Sequence, residues 1–328
     1  MSGQITIVGL GQIGASVGLA LGKRRSDLHR VGHDISPETA KQAQRIGAVD
    51  DVKHNLSAAV REASIVLLSL PVNEIRATLE VIAPDLPASA LVLDTAPTQT
   101  PVAEWAQELL PEGCYYVGLV PAINPLYLHR IELGVDAAKE DLFDGGVMVL
   151  GTLPGVPEEA VNVAANLIET LGAMPLFADM AETDGLMAST HIVPQLVAAA
   201  MLNAIIDQPG WEEARKLAGR PFAALTSALA YQDEIHASGE AALLNRENVA
   251  RVLDVVIGSL QGLRNDIANG NREDVYERLE VAFEGRRRWL GERLQSDWAN
   301  AADRPDLSNI PSFWERFLGS RETFKRPQ

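Results

Sequence analysis

The sequence predicts an α/β protein with an N-terminal Rossmann domain, whose sheet is doubly wound and mostly parallel, followed by an all-α dimerisation domain. A glycine-rich turn at residues 9–14 follows a short apolar run and opens a helical pattern. Apolar runs and helical patterns then alternate up to about residue 178, which is typical of parallel strands joined by helices. Only helical patterns follow. We therefore expect three parts, at residues 1–178, 179–300 and a C-terminal tail at 301–328.

The glycine-rich turn has the spacing of a dinucleotide-binding fingerprint, since Gly9, Gly11 and Gly14 stand between a strand and a helix. Gly9 allows the tight turn, Gly11 lets the backbone approach a pyrophosphate, and Gly14 lets the helix pack closely on the strand. The helix N-terminus presents unpaired N–H groups to the phosphates. The predicted cofactor-binding residues of this turn are Gly9, Leu10, Gly11, Gln12, Ile13 and Gly14.

Asp34 ends the second predicted strand, at residues 29–34, about 20 residues beyond the turn. A carboxylate there accepts hydrogen bonds from an adenosine ribose and repels a 2′-phosphate, so we expect NAD rather than NADP. The alternative is a glycine turn of a Rossmann-like domain that has lost its ligand.

Five further apolar runs predict the rest of a sheet of about eight strands, at residues 64–70, 90–94, 115–119, 146–150 and 174–177. Helices are expected at 37–45 behind a Ser36 cap, at 73–82 and at 100–110. Ligands of such sheets bind at the carboxyl ends of the strands. We therefore add Ser69, Leu70, Pro71 and Thr95 to the predicted cofactor site.

The second half predicts helices at 182–207, 211–218, 221–235, 240–268 and 272–298. Their faces are rich in Ala, Leu and Val, more apolar surface than one small helical domain can bury. Burial against a second copy solves this, so we expect a homodimer.

Composition limits the function further. The chain has 328 residues, of which 47% are hydrophobic and 22% charged, and a net charge of −16, which argues against nucleic-acid and anionic-membrane partners. We see no apolar run of about 18 residues to span a membrane and no signal peptide. Cys114 is the only cysteine, which fits a cytoplasmic location, and no His, Cys or acidic spacing predicts a metal site.

Four segments together resemble the prephenate/arogenate dehydrogenase family of tyrosine biosynthesis: residues 8–16, 32–37, 63–71 and 134–145. The resemblance implies a Rossmann domain with a helical dimerisation domain and a small-molecule substrate. It also implies that a nicotinamide cofactor takes a hydride from the ring carbon bearing a hydroxyl group while carbon dioxide leaves.

Four places depart from the family pattern on the substrate side. Val120 stands where a Gly-His-Pro motif has the histidine, and valine cannot move a proton. Pro97 and Gln99 stand where a serine and a basic residue are usual. Ser227 stands where an arginine binds the substrate carboxylate. A dianionic substrate needs cationic anchors, so the family substrate is in question.

The fourth departure lies on the first long helix, where family members read Ser-His-Leu-Pro-His. This chain reads Ser189-Thr-His-Ile-Val-Pro-Gln195, with His191 out of step by about one position and Gln195 in place of the second histidine. His191 is the best acid–base candidate, and Gln195, one turn later, shares its face. The alternative is ordinary helix packing.

Asn124 is the third catalytic candidate, since an amide in this loop orients substrates in related dehydrogenases. The alternative is a solvated loop. Thr95 and Thr98 are candidates for contact with nicotinamide or substrate, unless Thr98 or Thr100 caps a helix. Weaker candidates are Tyr127, His129 and Arg130 in the same loop as Asn124, and Tyr231, Asp233 and His236 on a late helix.

Three functions remain open at this point. The first is an NAD(P)-dependent oxidoreductase of this family with a small substrate other than prephenate. The second is a genuine prephenate or arogenate dehydrogenase that uses substituted groups. The third is a cofactor-binding sensor or partner protein without hydride transfer.

Overall fold

The computed structural model describes residues 3–25, 27–130, 132–230 and 235–296. The predicted tail at 301–328 lies outside these residues. Eight strands of the described chain form one sheet: β1 Gln4–Val8, β2 His29–His33, β3 Asp51–Val52, β4 Ala63–Leu68, β5 Leu91–Asp94, β6 Tyr115–Pro121, β7 Val147–Thr152 and β8 Met174–Phe177.

The strand order is β3-β2-β1-β4-β5-β6-β7-β8. Strands β6 and β7 pair antiparallel and all other neighbours pair parallel, which confirms the predicted doubly wound, mostly parallel sheet. The order reverses between β1 and β4, where a crevice opens at the carboxyl ends of both strands. The sequence analysis missed β3 because two residues show no periodicity.

Six helices cover the two faces of the sheet: α1 Gln12–Arg24, α2 Pro37–Arg45, α3 Leu56–Val60, α4 Val72–Ile82, α5 Thr100–Leu109 and α6 Glu158–Thr170. Successive strand residues point to opposite faces, so Ile7 belongs to the core under α1 and α6 while Val8 belongs to the core under α4 and α5. Ser36 caps α2 as predicted, because its Oγ accepts a hydrogen bond from the Thr39 N–H.

The described part of the chain beyond residue 179 is helical, as expected. Its elements are α7 Met180–Met187, a π-helical turn Ala188–Ile192, α8 Val193–Ile206, α9 Trp211–Leu217, α10 Arg220–Thr226, α11 Ile235–Leu244, α12 Arg246–Asn269 and α13 Arg272–Gln295. A 3₁₀ turn occupies Ser227–Leu229.

Three predicted helices have different bounds in the structure. The helix expected at 182–207 is interrupted by the π-helical turn, and the helix expected at 221–235 stops at Thr226. The helix expected at 240–268 starts at Ile235 and breaks at Asn245. Asn245 leaves the helical pattern because its buried side chain donates to the Asp184 carbonyl oxygen over 2.7 Å.

Much of the helical part is apolar and open. Within α12 only Val249 is buried, and exposed apolar side chains include Leu260 on α12 and Leu279 and Phe283 on α13. The stretch Met180–Ile206 is long and apolar enough to cross a membrane, and 17% of its most apolar window is buried. The sequence analysis looked for an uninterrupted apolar run, and this helix, which contains Glu182 and Asp184, meets instead a test of mean hydropathy.

Candidate functional site

The glycine-rich turn is held so tightly that two of its glycines admit no side chain. Gly9 has φ of +89°, and a Cβ built there would lie 2.2 Å from the Ser69 carbonyl oxygen. A Cβ at Gly14 would lie 2.0 Å from the Gly9 carbonyl oxygen. Gly11 is the N-cap of α1 and no side chain caps this terminus, so the helix N-terminus faces the crevice.

Asp34 ties this turn to the end of β2. Its Oδ2 accepts from the Leu10 N–H and its Oδ1 from the Ser36 N–H, each over 2.8 Å. The Leu10 side chain is buried in the core, so Leu10 contributes its backbone to the turn. Ile35, next to this carboxylate, is 87% exposed and offers an apolar surface for an adenine ring. The sequence analysis missed Ile35, although an isoleucine in a polar loop directly after the acid was a usable signal.

A cavity of about 290 Å³ lies between the Rossmann domain and the helical part. From the Rossmann side it is lined by Gly11, Gln12, Ile13, Ser69, Leu70, Pro71, Val72, Thr95 and Pro97. From the helical side it is lined by His191, Ile192, Gln195, Ala237, Ser238 and Ala241. The structure thus brings most of the predicted cofactor residues together with His191 and Gln195. His191 is the one ionisable side chain among these lining residues.

The π-helical turn explains why His191 is out of step with the family motif. One extra residue separates His191 from Pro194, and in a regular α-helix that residue would rotate the histidine by about 100° around the axis. A π-helical turn absorbs one extra residue without displacing the helix on either side. With the turn at Ala188–Ile192, His191 lines the cavity.

His191 and Gln195 stand in different environments. Desolvation by the surrounding protein lowers the pKa of His191, although its ring still reaches solvent at the cavity. The imidazole is therefore neutral at pH 7 and able to accept a proton. Gln195 is buried, donates from Nε2 to the His191 carbonyl oxygen over 2.9 Å and accepts from Ser238 Oγ over 2.8 Å. These two bonds fix the amide between α8 and α11.

Of the predicted catalytic and substrate residues, three do not line the cavity. Asn124 is buried and uses its amide locally, donating to the Asp141 carbonyl oxygen over 3.2 Å and accepting from the Leu126 N–H over 3.0 Å. Val120 is buried on β6. Ser227 donates to the Ala224 carbonyl oxygen over 2.8 Å. The structure therefore gives each of the three a packing or turn-forming environment.

The weaker candidates are dispersed. Tyr127 donates to Asp141 over 2.6 Å, and this bond raises the pKa of its phenol to about 12. His129 and Arg130 are exposed in the loop, and His236 is exposed on α11. Tyr231 and Asp233 lie outside the described residues. Within the part of the chain that the structure describes, no group of three or more His, Cys or acidic side chains is placed to hold a metal ion.

The N-terminus of α5 is capped from the helical part. Asp184 on α7 accepts from the Gln99 N–H over 2.6 Å and from the Thr100 N–H over 3.1 Å. The alternative that Thr98 or Thr100 caps this helix is therefore wrong, because neither hydroxyl makes a hydrogen bond. The Asn245 side chain, at the start of α12, also donates a hydrogen bond to the Asp184 carbonyl oxygen. Asp184 therefore connects α5, α7 and α12.

A buried acid lies beside this cap. Asp94 ends β5, is wholly inaccessible, and accepts hydrogen bonds from the Tyr116 hydroxyl and from the Ala96 N–H. Burial raises the pKa of Asp94 to about 7, against the two hydrogen bonds, and the negative charge of Asp184 adds to the rise. The bond to Ala96 shapes the segment that presents Thr95 and Pro97 to the cavity.

Comparison with known proteins identifies relatives of this chain. The family model for the nucleotide-binding domain of prephenate dehydrogenase matches residues 17–176. Prephenate dehydrogenase of Bacillus subtilis is 30% identical over 204 residues, which cover 62% of this chain and 54% of the Bacillus protein. Cyclohexadienyl dehydrogenase of Zymomonas mobilis is 25% identical over 86% of this chain and 94% of its own length.

Residues 17–176 belong to the nucleotide-binding domain family of prephenate dehydrogenase. The chain spans about half the length of the Bacillus relative, at 54%. Prephenate dehydrogenase from A. aeolicus, solved with hydroxyphenyl propionate and NAD⁺, superposes with a TM-score of 0.77 at 20% identity, covering 88% of this chain and 98% of that one. Synechocystis arogenate dehydrogenase superposes at 0.68 with 25% identity, covering 87% and 99%. The predicted fold and the predicted family resemblance are thus confirmed.

The raised pKa of Asp94 predicts a pH dependence of stability in this family member. The acid titrates near 3.8 when unfolded and about 7 when folded, so its contribution to stability is complete below about pH 4 and is lost as the pH rises to 7. Asp94→Asn cannot ionise. The free energy of unfolding of wild type relative to Asp94→Asn should therefore fall with rising pH, by up to ~1.4 kcal/mol per unit.

Urea denaturation at pH 5, 6, 7 and 8 measures this difference. Asp85→Asn is the control, since hydrogen bonds from Ser57 and Arg61 lower the pKa of Asp85, and its contribution stays constant across that range. A wild-type minus Asp94→Asn difference that is flat with pH would show that Asp94 is ionised throughout.

Proposed function

We propose that the protein is an NAD-dependent oxidoreductase that transfers a hydride between the cofactor and a small substrate bound between its two domains. The observation that carries the proposal is the shared cavity, in which the phosphate-binding turn and Thr95 face His191 and Gln195. The cofactor, when bound, accepts or supplies the hydride. The chain's own contribution is the backbone N–H groups at the start of α1, a fixed amide at Gln195 and a neutral imidazole at His191.

We further propose that the substrate carries less negative charge than prephenate. No lysine or arginine is among the residues that line the cavity. A dicarboxylate bound there would lose hydration without gaining ionic partners. Gln195 and Ser238 instead suit a neutral carbonyl or hydroxyl group. The alternative function, dehydrogenation of prephenate or arogenate, is favoured by the relatives, of which the Zymomonas enzyme aligns over 94% of its length.

We also propose a homodimer formed through the helical part, in a cytoplasmic protein without nucleic-acid or membrane partners. The apolar side chains on α12 and α13 are interspersed with charged ones, as in Arg286, Arg287 and Arg288, which a lipid interior would not accept. A second copy of the chain with a matching surface can pack against the apolar side chains and pair with the charged ones.

Purified protein with NAD and either prephenate, arogenate or uncharged cyclohexenols, followed at 340 nm, tests the activity. We expect turnover with the less charged compounds, and a loss of at least ~100-fold in kcat for His191→Asn with unchanged NADH affinity. His29→Asn, which alters a surface histidine paired with Asp51, is the control. Because His191 must be neutral to accept a proton, kcat/KM should fall on the acid side with an apparent pKa below 6.5.

Efficient turnover of prephenate would instead establish the alternative function. NADH binding without turnover of any compound would establish the third function, that of a cofactor-binding sensor.

The cofactor preference is tested at Asp34. Wild type should bind NADH more tightly than NADPH. Asp34→Asn keeps the size of the side chain and removes its charge, so it should reduce the ratio of the NADPH and NADH dissociation constants on the order of tenfold, or ~1.4 kcal/mol. Titration by NAD(P)H fluorescence gives both affinities, with Asp85→Asn as a distant control. A wild type without preference would contradict the assigned role of the carboxylate.

Light scattering with size-exclusion chromatography tests the dimer. We expect twice the 35.4 kDa chain mass for wild type and for Leu126→Glu, which alters a 70% exposed side chain of the Rossmann domain. Phe283→Glu, at a 69% exposed position on α13, should shift the mass toward one chain. A monomeric wild type, or one that sediments with liposomes, would contradict the proposal.

A further inference from the structure

The π-helical turn at Ala188–Ile192 changes the hydrogen-bond register of the helix that carries His191. Val193 donates its N–H to the Ala188 carbonyl oxygen, five residues back instead of the four of an α-helix. Such turns are rare, and they occur frequently at functional sites. A widened turn also takes carbonyl oxygens away from their usual N–H partners, so other groups must replace those partners.

Pro194 disfavours an α-helical path through this segment. In an α-helix the Thr190 carbonyl oxygen would accept from the N–H of residue 194, which proline lacks, and the proline ring would collide with that carbonyl group. A wider turn separates the ring from the carbonyl group. The proline therefore favours the π-helical turn from its C-terminal side.

Two hydroxyl groups support the turn from its N-terminal side. Ser189 Oγ and Thr190 Oγ1 each donate to the Leu186 carbonyl oxygen over 2.8 Å. In an α-helix that oxygen would accept from the Thr190 N–H. Serine and threonine side chains that bond to the preceding turn often bend a helix. These two bonds join residues at most four positions apart, so they act within the turn.

Gln195 links the turn to a different helix. Its Nε2 donates to the His191 carbonyl oxygen over 2.9 Å, and its Oε1 accepts from Ser238 Oγ on α11 over 2.8 Å. Gln195 is only 8% exposed, so bulk water competes little for these bonds. One buried amide thus ties the backbone of His191 to a residue 43 positions away.

We propose that Gln195 is a positioning residue, whose amide fixes the His191 backbone in the π-helical turn and so keeps the imidazole at the cavity. Ser189 and Thr190 act within the turn, whereas Gln195 connects it to α11, which also lines the cavity. Without this connection the turn relaxes toward the α-helical register, which rotates His191 by about 100° around the axis. The inference rests on the proposed function only in the role of His191 as the group that moves a proton.

NMR titration of the full chain with ¹³C-labelled histidine tests the placement of the ring without requiring turnover, and His191→Asn identifies its signal. In wild type the surrounding protein desolvates the imidazole and holds its pKa below 6.5. In Gln195→Met the ring should leave these surroundings, and the pKa of His191 should rise toward 6.5. If the substitution left the ring in place, the added apolar group would lower this pKa further.

Asn203→Leu is the matched control, because it replaces an exposed amide on the same helix and should leave the pKa of His191 unchanged. An unchanged or lowered pKa in Gln195→Met would overturn the proposal. If Gln195→Met does not fold, the milder Ser238→Ala decides. It removes the hydroxyl that holds the Gln195 amide, so the pKa of His191 should rise by less, and no rise would overturn the proposal.

Turnover assays provide a second measurement. Gln195→Met should lower kcat by about 10- to 100-fold and leave NADH affinity unchanged, since the amide acts through the placement of His191. An unchanged kcat in folded Gln195→Met would contradict the positioning role. A wild type that turns over none of the compounds would refute the proposed function, while the titration would still decide the role of Gln195.

Discussion

The Asp184 carboxylate is the contact on which the arrangement of the site depends. It spans from α7 to the first N–H groups of α5, so a charge of the helical part satisfies the positive end of a Rossmann helix. Charge-assisted caps of this kind are stronger than bonds between neutral groups. The cavity has one wall from each side of this contact, with Thr95 on the Rossmann side and His191 on the helical side. The Asn245 side chain, at the start of α12, donates a hydrogen bond to the backbone carbonyl oxygen of Asp184. Asp184 thus makes hydrogen bonds that connect three helices.

Two acids, Asp94 and Asp184, thus lie near each other at the carboxyl end of β5, and their environments differ. Asp184 accepts hydrogen bonds from two backbone N–H groups at a helix terminus. Asp94 is buried beside it with a phenol as partner, and burial together with the neighbouring charge favours the neutral form. Two carboxylates this near would repel each other if both were ionised. A neutral Asp94 keeps its bond to Tyr116 and leaves the negative charge to the residue that caps the helix.

The sequence analysis predicted those features that depend on residues close together in the chain. Gly9, Gly14 and Asp34 carry a pattern whose geometry follows from their own backbone and side chains, and the sheet followed from apolar runs long enough to be recognised. The cap by Asp184 was not predictable, because it joins residues 85 positions apart through tertiary packing. Asn124 was likewise selected from its residue type and loop, and the structure shows in addition that its amide bonds to the Asp141 carbonyl oxygen and to the Leu126 N–H. His191 stays a prediction as a catalytic residue, and the π-helical turn, which the sequence analysis did not foresee, explains how it comes to line the cavity.

The last strand of the sheet has a consequence for assembly. Strand β8 is only four residues long, and one of them, Pro175, has no N–H group to offer another chain. At the opposite edge, β3 contributes two residues. Long, regular edges invite strand-to-strand addition and amyloid-like aggregation, and proteins blunt them by shortening the strand or placing proline in it. Both edges of this sheet are blunted in that way. Strand-to-strand addition at these edges is thereby disfavoured, and any association is left to side-chain surfaces, where shape and charge discriminate between partners more sharply than a bare backbone does.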